Sequence, residues 1–114
     1  MIQVNKIKDI IVINLDESIT KFTLQNCQEI KEEINKVINN QRIKLIFDLN
    51  GIRYVDSSGI AVLISVLKTV NNIGGKLILT NISKEVMDLI KLMQLDRIFQ
   101  TASSMNEAIE KISE

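Results

Sequence analysis

The chain has 114 residues, 46% of them apolar and 25% charged, a composition that suits one globular domain over residues 1–114 rather than a disordered polymer. Its 14 Lys and Arg balance 14 Asp and Glu, which argues against a nucleic-acid footprint and a polybasic membrane anchor. One cysteine excludes an internal disulfide and fits a reducing cytoplasm, and no apolar run approaches a membrane span.

Met1 to Val4 enters a strand pattern at once, without a signal-peptide layout. Ile2, Val4 and Ile7 form a strand with partial alternation, and Lys8-Asp9 breaks it. Ile10 to Leu15 is the next strand, β-branched and more buried, so the two predict a hairpin. Asp16 to Thr20 is a polar loop. From Phe22 to about Ile38 the period changes to that of a helix. Leu24, Cys27, Ile30, Ile34, Val37 and Ile38 share its apolar stripe. Cys27 is thus expected as a packed core residue. Glu29, Lys31, Glu32, Glu33 and Lys36 read as a solvated face, and Asn39-Asn40-Gln41 ends the helix.

Ile43 to Leu49 is almost wholly apolar and reads as a strand covered on both faces. Gly51 marks a turn, and Tyr54-Val55 leads into the corner Asp56-Ser57-Ser58-Gly59. The helix from Ile60 to Ile73 is apolar over more than half its circumference. Ala61, Ser65, Lys68, Thr69 and Asn72 form its narrow small-and-polar face. Gly74-Gly75 stops it in the place of a left-handed cap. Lys76 to Thr80 is a strand. Ser83 caps a helix to about Met93, with Val86, Leu89, Ile90 and Met93 inward. Arg97 to Gln100 is the expected last strand. Ser104-Met105-Asn106-Glu107 matches a capping box and starts a helix with Ala108, Ile109 and Ile112. The order β-β-α-β-α-β-α-β-α predicts an α/β fold. After the opening hairpin, parallel pairing through right-handed crossovers gives a mixed sheet with helices packed on it.

The chain has no histidine, which removes the usual Ser-His-Asp and Cys-His partnerships and the commonest zinc ligand. Neither phosphate-cradling glycine motif is present, and no metal or cofactor is implied. Attention falls on Asp56-Ser57-Ser58-Gly59, where a strand's exit loop becomes a buried helix. Backbone N–H groups point outward at such a start, and the helix dipole favours negative charge there. A serine in that place is a helix cap, a nucleophile or a phosphate acceptor. Ser58 keeps the capping role, alone or shared with Asp56, and Gly59 either admits a close backbone or fits a tight helix start. Asp16 and Asp48 read first as polar residues at strand ends, and second as carboxylates beside Ser57 in a hydrolase or nucleotide phosphatase.

Ile52 to Leu63, together with the order of elements, resembles the STAS domain (sulphate transporter and anti-sigma factor antagonist). Further landmarks are Leu15-Asp16 before the first helix, Asp48-Leu49 at the end of the central strand, Ile73-Gly74-Gly75-Lys76, and Glu107-Ala108 in the last helix. The resemblance covers nearly the whole chain. It implies a cytoplasmic, non-enzymatic anti-sigma factor antagonist. Unphosphorylated, such a protein binds an anti-sigma factor that is also a serine kinase, and so frees a sigma factor. The kinase phosphorylates the first serine of D-S-S-G, here Ser57, and a metal-dependent serine phosphatase of the PP2C type reverses it. Asp56 and Ser58 flank the acceptor, and Asp16 and Asp48 belong to the neighbouring shell. The expected docking surface is this corner with Gly59 and the helix face of Ala61, Ser65 and Lys68. Two departures stand out. The loop Glu17 to Thr23 is longer and more apolar than the family's usual link, and lies near its partner-binding face. Val66 stands where a polar residue is common, and either packs in the core or joins a partner surface. A second class remains: a structural module that docks in a larger assembly or on a transporter and is never phosphorylated.

Overall fold

A computed structural model describes residues 1–38 and 42–114, so the expected helix stop at Asn39-Asn40-Gln41 lies outside the described residues. The strands are β1 Ile2–Ile7, β2 Ile10–Leu15, β3 Lys21–Phe22, β4 Lys44–Asp48, β5 Tyr54–Val55, β6 Lys76–Thr80 and β7 Gln100–Ala102. The helices are α1 Cys27–Val37, α2 Ser57–Asn72, α3 Lys84–Leu92 and α4 Met105–Ile112. Five strands form one sheet in the order β1-β2-β4-β6-β7, and β3 and β5 form a separate ribbon. β1 pairs antiparallel with β2, as the hairpin predicted, and every other pairing is parallel. The sheet is therefore mixed.

The near-continuous apolar strands are explained by burial on both faces. Successive side chains of β4 alternate between two cores: Leu45 and Phe47 join one, and Ile46 the other. The larger core takes Ile30 and Ile34 of α1, Leu63 and Val66 of α2, and Val86 and Ile90 of α3. The smaller takes Ala108 and Ile112 of α4. Three helices thus cover one face and one helix covers the other. Val66 packs in the core, with 1% of its surface exposed.

Four expectations are corrected. The helix does not begin at Phe22. Phe22 pairs with Val55 across the small ribbon and is fully buried. The Asn26 side chain then closes a turn, accepting from the Thr23 N–H at 3.0 Å and donating to the Lys21 carbonyl at 2.8 Å. A side chain that captures nearby backbone groups competes with helix, so α1 starts only at Cys27. Leu24, placed in the apolar stripe by its spacing from Cys27, is 74% exposed. The last strand also falls later than expected. α3 ends at Leu92, Gln94 takes a left-handed conformation, and Leu95–Arg97 makes a short 3-10 turn. Phe99 is buried, and the strand follows it as Gln100–Ala102. Met93, expected inward, is exposed.

The helix ends follow their local chemistry. Ser83 and Ser104 accept the Val86 and Glu107 N–H groups as N-caps. The Glu107 carboxylate goes to Ser103, so the expected box is only half made. At the end of α2, Gly74 has φ +73°. The Gly75 and Gly74 N–H groups reach the Val70 and Asn71 carbonyls at 2.9 and 3.1 Å, the Schellman pattern. Glu33, read as part of a solvated face, instead accepts the Ile2 N–H at 3.2 Å. That bond, with the adjacent N-terminal ammonium, holds its carboxyl below the ordinary range.

Cys27 is buried as expected, its thiol 3.9 Å from the Leu24 carbonyl. A thiol reagent should label the native protein at least about tenfold more slowly than the denatured chain. Equal rates in native buffer and denaturant would contradict this packing.

Candidate functional site

The site is the junction of β5 and α2. Asp56 has extended backbone and is the N-cap of α2. One carboxylate oxygen accepts the Gly59 N–H at 3.0 Å, and the other accepts the Leu24 N–H at 3.0 Å. One side chain therefore caps the helix and ties it to the turn before α1. These bonds, Gly59 first and Leu24 second, hold the Asp56 carboxyl below its ordinary pKa. The carboxylate is thus ionised at neutral pH.

Capping by Asp56 corrects the role expected of Ser58. Ser57 and Ser58 are the first two residues of the helix, and neither hydroxyl caps it. Ser57 is exposed and Ser58 half-buried. No hydrogen bond to the Ser57 hydroxyl occurs among the described residues. Gly59 is buried beneath them. A Cβ there would lie 2.3 Å from the Phe22 carbonyl oxygen and 2.7 Å from a Val55 methyl. The close backbone that glycine admits is β3 of the same chain, so Gly59 positions the corner from below instead of meeting a partner directly.

From Ser57 the exposed line continues up α2 at helical spacing through Ala61, Ser65 and Lys68. Ala61 and Lys68 are exposed and Ser65 half-buried. Asp16 and Asp48 stand apart from this line in their bonding. Asp48 accepts the Asn50 N–H at 2.9 Å and the Asn81 side-chain amide at 3.1 Å, stitching the exits of β4 and β6 together. Asp16 follows β2 and lies 3.6 Å from the N-terminal ammonium. Neither carboxylate hydrogen-bonds to Ser57 among the described residues. Two residues that sequence reasoning did not assign flank the corner: Leu24, bonded to Asp56 through its N–H, and Tyr54, 55% exposed on β5. Leu24 was hidden by its helix-like spacing, whereas Tyr54 was visible as an aromatic three residues before Ser57.

The family model of the STAS domain matches residues 1–108, and the chain belongs to that family. A Thermotoga maritima protein provisionally named an anti-sigma factor antagonist is 25% identical over 108 residues, covering 94% of each chain. Among solved structures, a STAS domain protein from Planctomyces limnophilus superposes with a TM-score of 0.91 at 19% identity, covering 99% of this chain and 98% of that one. The anti-sigma factor antagonist SpoIIAA, solved in its unphosphorylated form, gives 0.78 at 20% identity, covering 99% and 96%. The mixed sheet and its helices are the fold these proteins share. No described helix is long and apolar enough to cross a membrane.

Two outcomes follow from the corner's geometry. Gly59→Ala should destabilise the protein by about 2 kcal/mol, because overpacking of up to about 3 kcal/mol outweighs a helix-propensity gain of about 1 kcal/mol. Urea denaturation measures it, and wild-type stability would mean that β3 yields freely.

Asp56 supplies the second test. Its folded pKa is depressed, so its contribution is present above the unfolded value and is lost as pH falls through the folded one. Asp56→Asn should lower the melting temperature at neutral pH and flatten part of the decline below about pH 4. Parallel wild-type and variant melting curves from neutral to acid pH would contradict the cap.

Proposed function

We propose that this protein is an anti-sigma factor antagonist, a non-enzymatic binding module switched by phosphorylation of Ser57. Unphosphorylated, it binds an anti-sigma factor that is also a serine kinase, and the sigma factor is released. A metal-dependent serine phosphatase of the PP2C type resets it. The switch operates in the cytoplasm, without direct nucleic-acid contact. One observation carries this reading above the others: Asp56 takes the capping role, which leaves the Ser57 hydroxyl exposed and uncommitted at the head of a buried helix. Family membership and the names of the Thermotoga relative and SpoIIAA support it.

The physical chemistry of the switch follows from the site. A phosphate adds about −1.5 to −2 charges and three acceptor oxygens. On Ser57 it meets the positive end of the α2 dipole, so the fold tolerates it. It also stands beside the ionised Asp56 carboxylate. A partner surface shaped for a hydroxyl then meets a local excess of negative charge and a larger group. The docking surface is Ser57 with Ser58, Ala61, Ser65 and Lys68, where small side chains let another backbone approach. Asp56 and Gly59 hold it in shape, and Asp16 and Asp48 frame it at the strand exits.

The test uses the cognate kinase and ATP. Mass spectrometry should place the phosphate on Ser57, and Ser57→Ala should abolish it while still binding the kinase. Ser57→Asp should bind at least about tenfold more weakly by calorimetry, near 1.4 kcal/mol, with almost unchanged melting. Phosphate that persists in Ser57→Ala and vanishes in Ser58→Ala would move the acceptor. Phosphorylated protein that binds as tightly as unmodified protein would replace the switch with a structural docking module.

A further inference from the structure

The two edges of the main sheet are treated differently. β7 has three residues, and its Thr101 carbonyl takes the Lys111 ammonium at 2.9 Å. β1 has six residues and no proline, and among the described residues nothing pairs with its outer side. Its bonding phase can be read directly. The Asp16 N–H donates to the Met1 carbonyl, one step beyond the Ile2–Leu15 pair. Narrow and wide pairs alternate along an antiparallel ladder. Gln3, Asn5 and Ile7 therefore bond inward to β2, and the backbone groups of Ile2, Val4 and Lys6 point out of the sheet. The Ile2 N–H agrees, since it is turned outward onto Glu33. That carboxylate occupies one end of the edge and leaves the Val4 and Lys6 groups open. Val4 is also 46% exposed.

We propose that β1 is a self-association edge, at which two copies of this chain pair antiparallel about a two-fold axis at Asn5. In that register Val4 of each copy stands opposite Lys6 of the other, and each such pair exchanges both N–H···O bonds. Asn5 meets Asn5, and Ile2 falls opposite Lys8 of the second copy. The Ile2 N–H keeps its bond to Glu33. Charge selects a second copy over an unrelated strand. Glu33 and Asp16 gather at the Ile2 end, with the N-terminal ammonium between them, so that end stays net negative. Lys6 and Lys8 lie at the other end. Neither forms an ion pair among the described residues, and neighbouring Asp9 is taken by Lys44 at 3.3 Å. The two-fold sets the basic end of each copy on the acidic end of the other, an isologous match. An exposed edge of this length without proline is otherwise an aggregation hazard, and self-pairing removes it. This edge is separate from the α2 surface, so it does not depend on the phosphorylation switch.

Sedimentation equilibrium from about micromolar to about millimolar protein tests the proposal. The chain should form a reversible dimer. Val4→Pro removes an outward N–H and leaves the inward ladder intact, so dimerisation should weaken at least about tenfold with little change in melting. Lys8→Glu, on the exposed turn, should weaken it at low salt and less at high salt, and it carries the test if Val4→Pro loses its fold. Amide exchange at Val4 and Lys6 should slow as protein concentration rises. A monomer across the whole range overturns the proposal. So does a dimer that Lys8→Glu leaves unchanged and that gives no concentration-dependent protection at Val4 and Lys6.

Discussion

The bond pair on the Asp56 carboxylate is the interaction on which the candidate site depends. One oxygen closes the first turn of α2 on the Gly59 N–H, and the other holds the Leu24 N–H 32 residues earlier in the chain. The second bond ties the start of α2 to the turn before α1, beside the Asp56 N–H on the Phe22 carbonyl at 3.3 Å. The ribbon of β3 and β5 completes the junction, and the missing Cβ of Gly59 lets the Phe22 carbonyl pack against the helix. Three elements distant in sequence therefore meet at a point one residue before Ser57. The hydroxyl is presented on this support and makes no hydrogen bond among the described residues.

The sheet distributes its faces and edges unevenly, and the two proposed surfaces follow from that. α1, α2 and α3 bury one face and α4 the other, so the central strands are covered on both faces. The surfaces left exposed include the outer side of α2, the loops at the strand exits, and the edge β1. The first carries small and hydroxyl side chains at helical spacing beside a serine. The last carries unpaired backbone with opposite charges at its two ends. Such surfaces favour different kinds of partner, a fitted protein surface in one case and a matching strand in the other.

Much of this was legible in the residues themselves. The hairpin, the doubly covered strand β4, the strand β6, the stop at Gly74, and the serine caps of α3 and α4 all rest on periods and local bonding that involve only neighbouring residues. The STAS resemblance of the region from Ile52 to Leu63, and the interest of Ser57, were likewise visible. Three of the misplacements have one physical source. Leu24, Phe22 and Met93 satisfied a helical spacing, yet their burial was set by contacts outside their own segments. Phe22 belongs to a strand because Val55 is there to pair with it, and spacing within a segment cannot report that.

The sequence by itself determined which segments alternate, where the apolar faces lie, and that a carboxylate and two hydroxyls precede a buried helix, because each follows from side-chain type and period. Only the tertiary structure decided how those three groups divide their work. Asp56 became the cap because its second oxygen could also reach Leu24, a partner supplied by the chain's return past the helix. Ser58 was thereby relieved of capping, Ser57 was left exposed, and Gly59 was required by the carbonyl of β3 rather than by a turn. The open edge was decided in the same way. β1 reads as an ordinary strand, and its exposure depends on the position that folding gives it in the sheet.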